Sequence, residues 1–119
     1  MKTSELTGAA LDWAVAKCEG PNSVAACYYD EDDLPMCLDE APHMEWQPST
    51  NWAQGGPIIE REKISVWARD DEWAAESFVP NQQGLECVGP TPLIAAMRCY
   101  VSSVLGDEVE PPKEISNVA

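Results

Sequence analysis

Positive charge is what this chain lacks most. Seven Lys and Arg stand against 21 Asp and Glu, giving a formal charge of −14. Phosphate backbones and anionic lipid surfaces are held by Lys and Arg, so this balance argues against a nucleic-acid partner and against a membrane-surface partner. No apolar run approaches the ~18 residues of a transmembrane span. Histidine is represented by His43 alone and phenylalanine by Phe78 alone. The five cysteines (Cys18, Cys27, Cys37, Cys87 and Cys99) are odd in number and include no C-x-x-C pair. Neither a disulfide framework nor a zinc site is therefore expected, and reduced thiols in a cytosol are. The opening Met1-Lys2-Thr3-Ser4-Glu5 reads directly into a helix, so no targeting segment is expected.

Apolar material is ample, at 45% of 119 residues, which suits a single small domain. The expected layout is a domain over 1–109 with an acidic, proline-containing extended tail over 110–119. Trp13, Trp46, Trp52, Trp67 and Trp73 are too many indoles to bury fully in one small core, so some ring faces are expected at the surface. A first helix is predicted from about Ser4 to Cys18, with Leu11, Ala14, Val15 and Cys18 on its buried face. Val24 to Tyr29 reads as a strand, inside an irregular stretch from 21 to 57. Ile64, Val66 and Ala68 alternate with polar or aromatic neighbours and predict a strand. Arg69-Asp70-Asp71-Glu72 predicts the turn, and Trp73 to Phe78 the returning strand. Thr91 followed by Pro92 marks the start of a last helix, and Gly106 its end. The predicted fold class is α+β: two helices packed on a small antiparallel sheet with long irregular loops.

No catalytic constellation is legible. His43 has no local nucleophile signature around it, and the acidic run Asp30-Glu31-Asp32-Asp33 lacks the glycine and distal glutamate of a calcium loop. No metal or cofactor is expected. Two stretches are more specialised. In Pro48-Ser49-Thr50-Asn51-Trp52-Ala53-Gln54-Gly55-Gly56-Pro57, the side chains of Ser49, Thr50, Trp52 and Gln54 and the backbone at Gly55 and Gly56 suit a ligand-binding loop, with Arg61 close behind. A turn-rich connection uses the same residue types. At the second stretch, the free N–H groups beyond Thr91 form an anion site or an ordinary helix cap, with Arg98 two turns further on.

Three blocks resemble the NinX family of small tailed-phage proteins. They are Lys2-Thr3-Ser4-Glu5-Leu6-Thr7-Gly8-Ala9-Ala10-Leu11-Asp12-Trp13-Ala14-Val15-Ala16, the stretch from Pro48 to Arg61, and Gly89-Pro90-Thr91-Pro92-Leu93-Ile94-Ala95-Ala96-Met97-Arg98 with Leu105 to Val109. The resemblance implies a phage accessory protein acting in the bacterial host cytoplasm, and it carries over no catalytic residues. With the residues above, the leading expectation is a non-enzymatic binder of a small anionic, nucleotide-type host ligand such as an immune signal. Its pocket would run from Ser49 to Gly56 with Arg61, Thr91 and Arg98. The alternative is an acidic protein-interaction or DNA-mimic inhibitor of a host factor. A hydrolase acting on the same ligand is the third reading.

Overall fold

The computed structural model describes residues 1–29, 31–33, 46–77 and 84–116. Asp30, Cys37, His43, Phe78 and residues 81–83 of the polar loop lie outside the described residues. The chain is α+β, as predicted. Helices α1 (Gly8–Glu19), α2 (Trp52–Glu62), α3 (Pro92–Leu105) and the short α4 (Lys113–Ser116) accompany strands β1 (Ser65–Arg69), β2 (Glu72–Ser77) and β3 (Leu85–Gly89). The strands form one antiparallel meander in the order β1-β2-β3.

Helix α3 organises the rest. It begins as its sequence dictates, with the Thr91 side chain accepting the Ile94 N–H at 3.1 Å and Pro92 in the first turn. It lies across all three strands and also packs on α1 and α2. Leu93, Met97, Tyr100 and Val101 are buried, whereas Val104 is half exposed. The sheet presents Val66, Ala75 and Cys87 in register to the core. On its other face Trp67 lies opposite Ala74. The β1–β2 turn is confined to Asp70 and Asp71, and Asp70 takes the left-handed φ of 49° that aspartate tolerates.

Several expectations are corrected. The first helix is interrupted: Thr3–Glu5 is a 3-10 turn, and α1 starts only after Thr7. The Thr3 hydroxyl does not cap α1; it donates to the Gly106 carbonyl at 2.7 Å. Gly8, expected inside the helix, instead sits at its first position with φ of 53°. Val24–Tyr28 is a 3-10 turn rather than a strand. β3 was missed because its short apolar run sits directly against the Gly-Pro that opens α3.

The end of the expected domain is tied to its start, and Ile115, in the stretch expected to be an extended tail, packs on the body of the protein. The Met1 amine and the Val109 carbonyl bond at 2.9 Å, and Val109 N–H donates back to Met1 at 3.0 Å. Val109 and Ile115 are both buried in the core.

The largest correction concerns the Gly-Gly stretch, which is helical. Asn51 caps α2 by accepting the Ala53 N–H at 2.9 Å, and Lys63 ends it in the left-handed conformation with φ of 55°. Two glycines and Pro57 make a poor helix by propensity. Tertiary contact overrides that: Ile58 is buried, and Gly55 lets α2 approach the Pro48 carbonyl and Leu93 of α3.

A Cβ at Gly55 would stand 2.3 Å from the Pro48 oxygen and 2.7 Å from the Leu93 side chain. One at Gly56 would meet nothing closer than 3.8 Å. Gly55→Ala is expected to destabilise by about 1–3 kcal/mol through overpacking. Gly56→Ala should stabilise by roughly 0.5–1 kcal/mol through helix propensity. Urea unfolding of the two variants checks the opposite signs, and shifts in the same direction would refute the close-approach account.

Candidate functional site

Trp13, Ala16 and Lys17 recur at the i, i+3, i+4 spacing that places side chains on one helix face. Gly20, with φ of 92°, ends α1, and Pro21 carries the chain round to the Val24–Tyr28 turn. Ala26 and Tyr29 thereby come to face the second half of α1. Together these residues line a cleft of about 420 Å³ whose rim carries Glu31 and Asp33. Lys17 Nζ donates to Asp33 Oδ1 at 2.5 Å and lies 5.7 Å from the centroid of the Trp13 ring. The cleft is therefore aromatic on its walls, with one cation and two carboxylates at its edge.

A buried polar site lies beside it on α1. Asp12 is 5% exposed, and its Oδ1 accepts the Ser49 N–H at 2.9 Å. Burial raises the Asp12 pKa to about 6, against the opposing effect of Ser49. The Ser49 hydroxyl acts electrostatically on the carboxyl but makes no hydrogen bond of standard geometry; it and the indole N–H groups of Trp13 and Trp46 are buried without a partner among the described residues. The pKa of Tyr29 is also raised, by burial first and by the nearby Asp12 charge second. Trp46 stacks on Tyr28 with centroids 6.2 Å apart. No group of three or more metal-ligating side chains is present among the described residues.

The residues singled out from sequence are distributed over three places. Ser49, Thr50, Trp52, Gln54, Gly55 and Gly56 stay together at the start of α2, and Leu93 brings the start of α3 against them at Gly55. Within that group Ser49 is buried, Trp52 is 56% exposed, and Gln54 accepts the Gln47 N–H at 2.6 Å. Thr50 is exposed, its N–H donating to the Gln47 carbonyl at 3.1 Å. Thr91 serves as the α3 cap.

Arg61 lies at the far end of α2. It grips Glu19 with two bonds of 3.0 and 2.6 Å, and also bonds Glu62 and the Tyr100 hydroxyl. Arg98 is buried and donates to the Leu6 and Val88 carbonyls at 2.8 and 2.9 Å. Neither guanidinium faces the cleft. Trp13, Lys17, Ala26 and Tyr29 were missed, because a tryptophan on an apolar helix reads as core. The adjacent Asp12, a carboxylate in an otherwise apolar run, was the available signal.

The raised Asp12 pKa fixes a sign. Between its unfolded value near 4 and about 6, the native state holds a proton that the unfolded state has lost. This group's contribution to stability therefore falls as pH rises through that window, and the penalty is complete above about 6, at roughly 3 kcal/mol. Asp12→Asn keeps an acceptor for Ser49 and removes the charge. It is expected to be more stable than the parent at pH 7.5, with the difference vanishing near pH 4, as urea midpoints across the range would show. A variant less stable than the parent at pH 7.5 would refute the assignment.

No curated protein matches this chain. A family model described as Bacteriophage P22, NinX, matches residues 2–103, spanning α1, α2, the sheet and most of α3. The chain belongs to the bacteriophage P22 NinX family.

Proposed function

We propose that this phage-family chain is a non-enzymatic binder that captures a small nucleotide-type ligand of the bacterial host in the cleft between α1 and the Val24–Tyr29 segment. Withdrawing an immune signal in the host cytoplasm is the use such capture would serve. The observation that carries the reading is the cleft itself, an aromatic-walled recess of about 420 Å³ with Trp13 and Tyr29 in its lining and Lys17 at its rim. That volume lies at the lower end of the range for small-molecule sites and suits one planar ring system with a short substituent.

The pairing of the arginines supports a ligand of low charge. Arg61, Arg69 and Arg98 are the three arginines of the sequence. Arg61 is paired with Glu19, Arg69 with Glu86, and Arg98 with backbone carbonyls. Forked recognition of a polyphosphate has no free guanidinium to use. Lys17 is a single point charge already shared with Asp33, which supports a nucleoside or a nucleotide with one phosphate over a more highly charged ligand.

The acidic-inhibitor reading retains one observation, the −14 charge, with Glu60, Glu62, Asp70, Asp71 and Glu72 all exposed. Binding through that surface would weaken steeply with salt and would not depend on the cleft.

Calorimetry with a panel of nucleosides and nucleoside monophosphates tests the proposal. Ala16→Leu, which fills the cleft with a good helix former, should weaken binding by at least about tenfold, or ~1.4 kcal/mol. Lys17→Met should weaken the monophosphate more than the bare nucleoside. Trp52→Ala should leave binding unchanged, since Trp52 does not line the cleft. Failure of the folded parent protein to bind any member of the panel would refute nucleotide capture. Binding lost in Trp52→Ala and kept in Ala16→Leu would move the site to the start of α2.

A further inference from the structure

We infer that Cys87 of β3 and Cys99 of α3 form a thiol pair that closes reversibly into a disulfide when a peroxide reaches Cys87. The two residues interlock the strand and the helix. Cys99 Sγ donates to the Leu85 carbonyl at 3.1 Å, two residues before Cys87 on the same strand. Cys87 Sγ donates to Ser102 Oγ at 3.8 Å, three residues beyond Cys99 on the same side of the helix. Each thiol thus touches the element that carries the other, and the two influence each other electrostatically.

Their environments give them different roles. Cys99 is 0% exposed, while Cys87 is half-buried on β3, the strand that forms one edge of the sheet. Cys87 is thus the more accessible of the two thiols. The Arg98 guanidinium donates to the carbonyl of Val88, the residue next to Cys87, and so holds a buried positive charge beside it. The neighbouring Cys99 first, then the Ser102 hydroxyl, which donates once Cys87 is a thiolate, and the Arg98 charge lower the Cys87 pKa to about 7 against the effect of burial. The pKa of Cys99 is raised, first by the neighbouring Cys87 and then by burial, so it stays protonated. One reactive thiolate beside one protonated partner is the arrangement of an attacking and a resolving cysteine.

The chemistry balances with a peroxide as the oxidant. The Cys87 thiolate attacks one oxygen of hydrogen peroxide; the O–O bond breaks, and the leaving hydroxide takes a proton and departs as water. Cys87 then carries a sulfenic acid. The Cys99 sulfur attacks the Cys87 sulfur, the S–O bond breaks, and the hydroxyl leaves as a second water with the Cys99 proton. Two thiols have lost two electrons in all, and one peroxide has become two waters. The product ties β3 to α3 across the turn through Pro90, and a dithiol reductant restores the pair by exchange. In a reducing cytosol the pair rests as thiols, where transient, sensing disulfides are the usual kind.

The test uses the full, reduced, folded chain, treated with one equivalent of hydrogen peroxide, quenched by alkylation and mapped by peptide mass spectrometry. The expected result is a Cys87–Cys99 bridge with the loss of two hydrogens, alkylated Cys18 and Cys27, and full reversal by dithiothreitol. The rate should rise with pH about a midpoint near 7. Cys99→Ser should accumulate sulfenic and then sulfinic acid at Cys87. Should that variant fail to fold, mapping of the parent chain still decides. A bridge to any other cysteine, sulfinic acid at Cys87 of the parent chain, or thiol loss only after denaturation would overturn the inference.

Discussion

The buried guanidinium of Arg98 is the constraint around which the chain is arranged. It lies in the middle of α3 and donates in two directions, to the Leu6 carbonyl just before α1 and to the Val88 carbonyl of β3. Burial lowers its pKa, the expected consequence of removing a cation from water. That removal is offset only if the donors are well used, and charge-assisted bonds to carbonyls are among the stronger hydrogen bonds. Two backbone carbonyls from distant parts of the chain are satisfied by one side chain. The gap between the Thr3–Glu5 turn and α1 follows, because Leu6 must turn its side chain into the core and its carbonyl toward Arg98.

A second tie works at the opposite end of α1. Glu19 receives two bonds from Arg61 and one from the Tyr100 hydroxyl at 2.6 Å, which joins α1, α2 and α3 through one carboxylate. Burial opposes the Glu19 charge, but the bonds from Arg61 and Tyr100 outweigh it and hold its pKa below the usual range. The sign is opposite to that of Asp12: Glu19 stabilises the fold at neutral pH and loses that contribution on acidification. Arg61 is half exposed, so much of the pair's Coulombic strength is screened by solvent. Its value is geometric, since a two-bond fork fixes the angle between the ends of two helices.

These two ties show what the sequence could reveal and what it could not. Helix α3 was legible because its signals are local: a Thr-Pro start, an apolar stripe and a terminal glycine within sixteen residues (91–106). The β1–β2 hairpin was legible for the same reason, with two alternating runs around an Asp-Asp turn. Helix α2 was not, because Gly55, Gly56 and Pro57 state a local preference that the Asn51 cap and the contact with Pro48 and Leu93 override. Arg61 and Arg98 were read as candidate phosphate ligands beside glycine-rich turns. A cation that anchors carbonyls or a distant glutamate has the same sequence neighbourhood, and only the fold separates the two uses. The cleft was hidden for a related reason: its wall is the helical face of Trp13, Ala16 and Lys17, which has the spacing of any half-buried helix.

Asp12 joins the scaffold to the cleft. A carboxylate with so little exposure disfavours the folded state at neutral pH, and an apolar residue of similar size would avoid the penalty. What the carboxylate supplies is an acceptor for the Ser49 N–H, fixing the segment that enters α2 against α1. Its neighbour Trp13 then faces the cleft, and its charge is felt by Tyr29, part of the same lining. The Ser49 hydroxyl and the Trp13 indole N–H stay unpaired nearby among the described residues. A fold optimised for stability alone would pair or replace such groups. Asp12 and Trp13 are adjacent on α1 and Ser49 is bonded to Asp12, so these groups cluster beside the Trp13 side of the cleft.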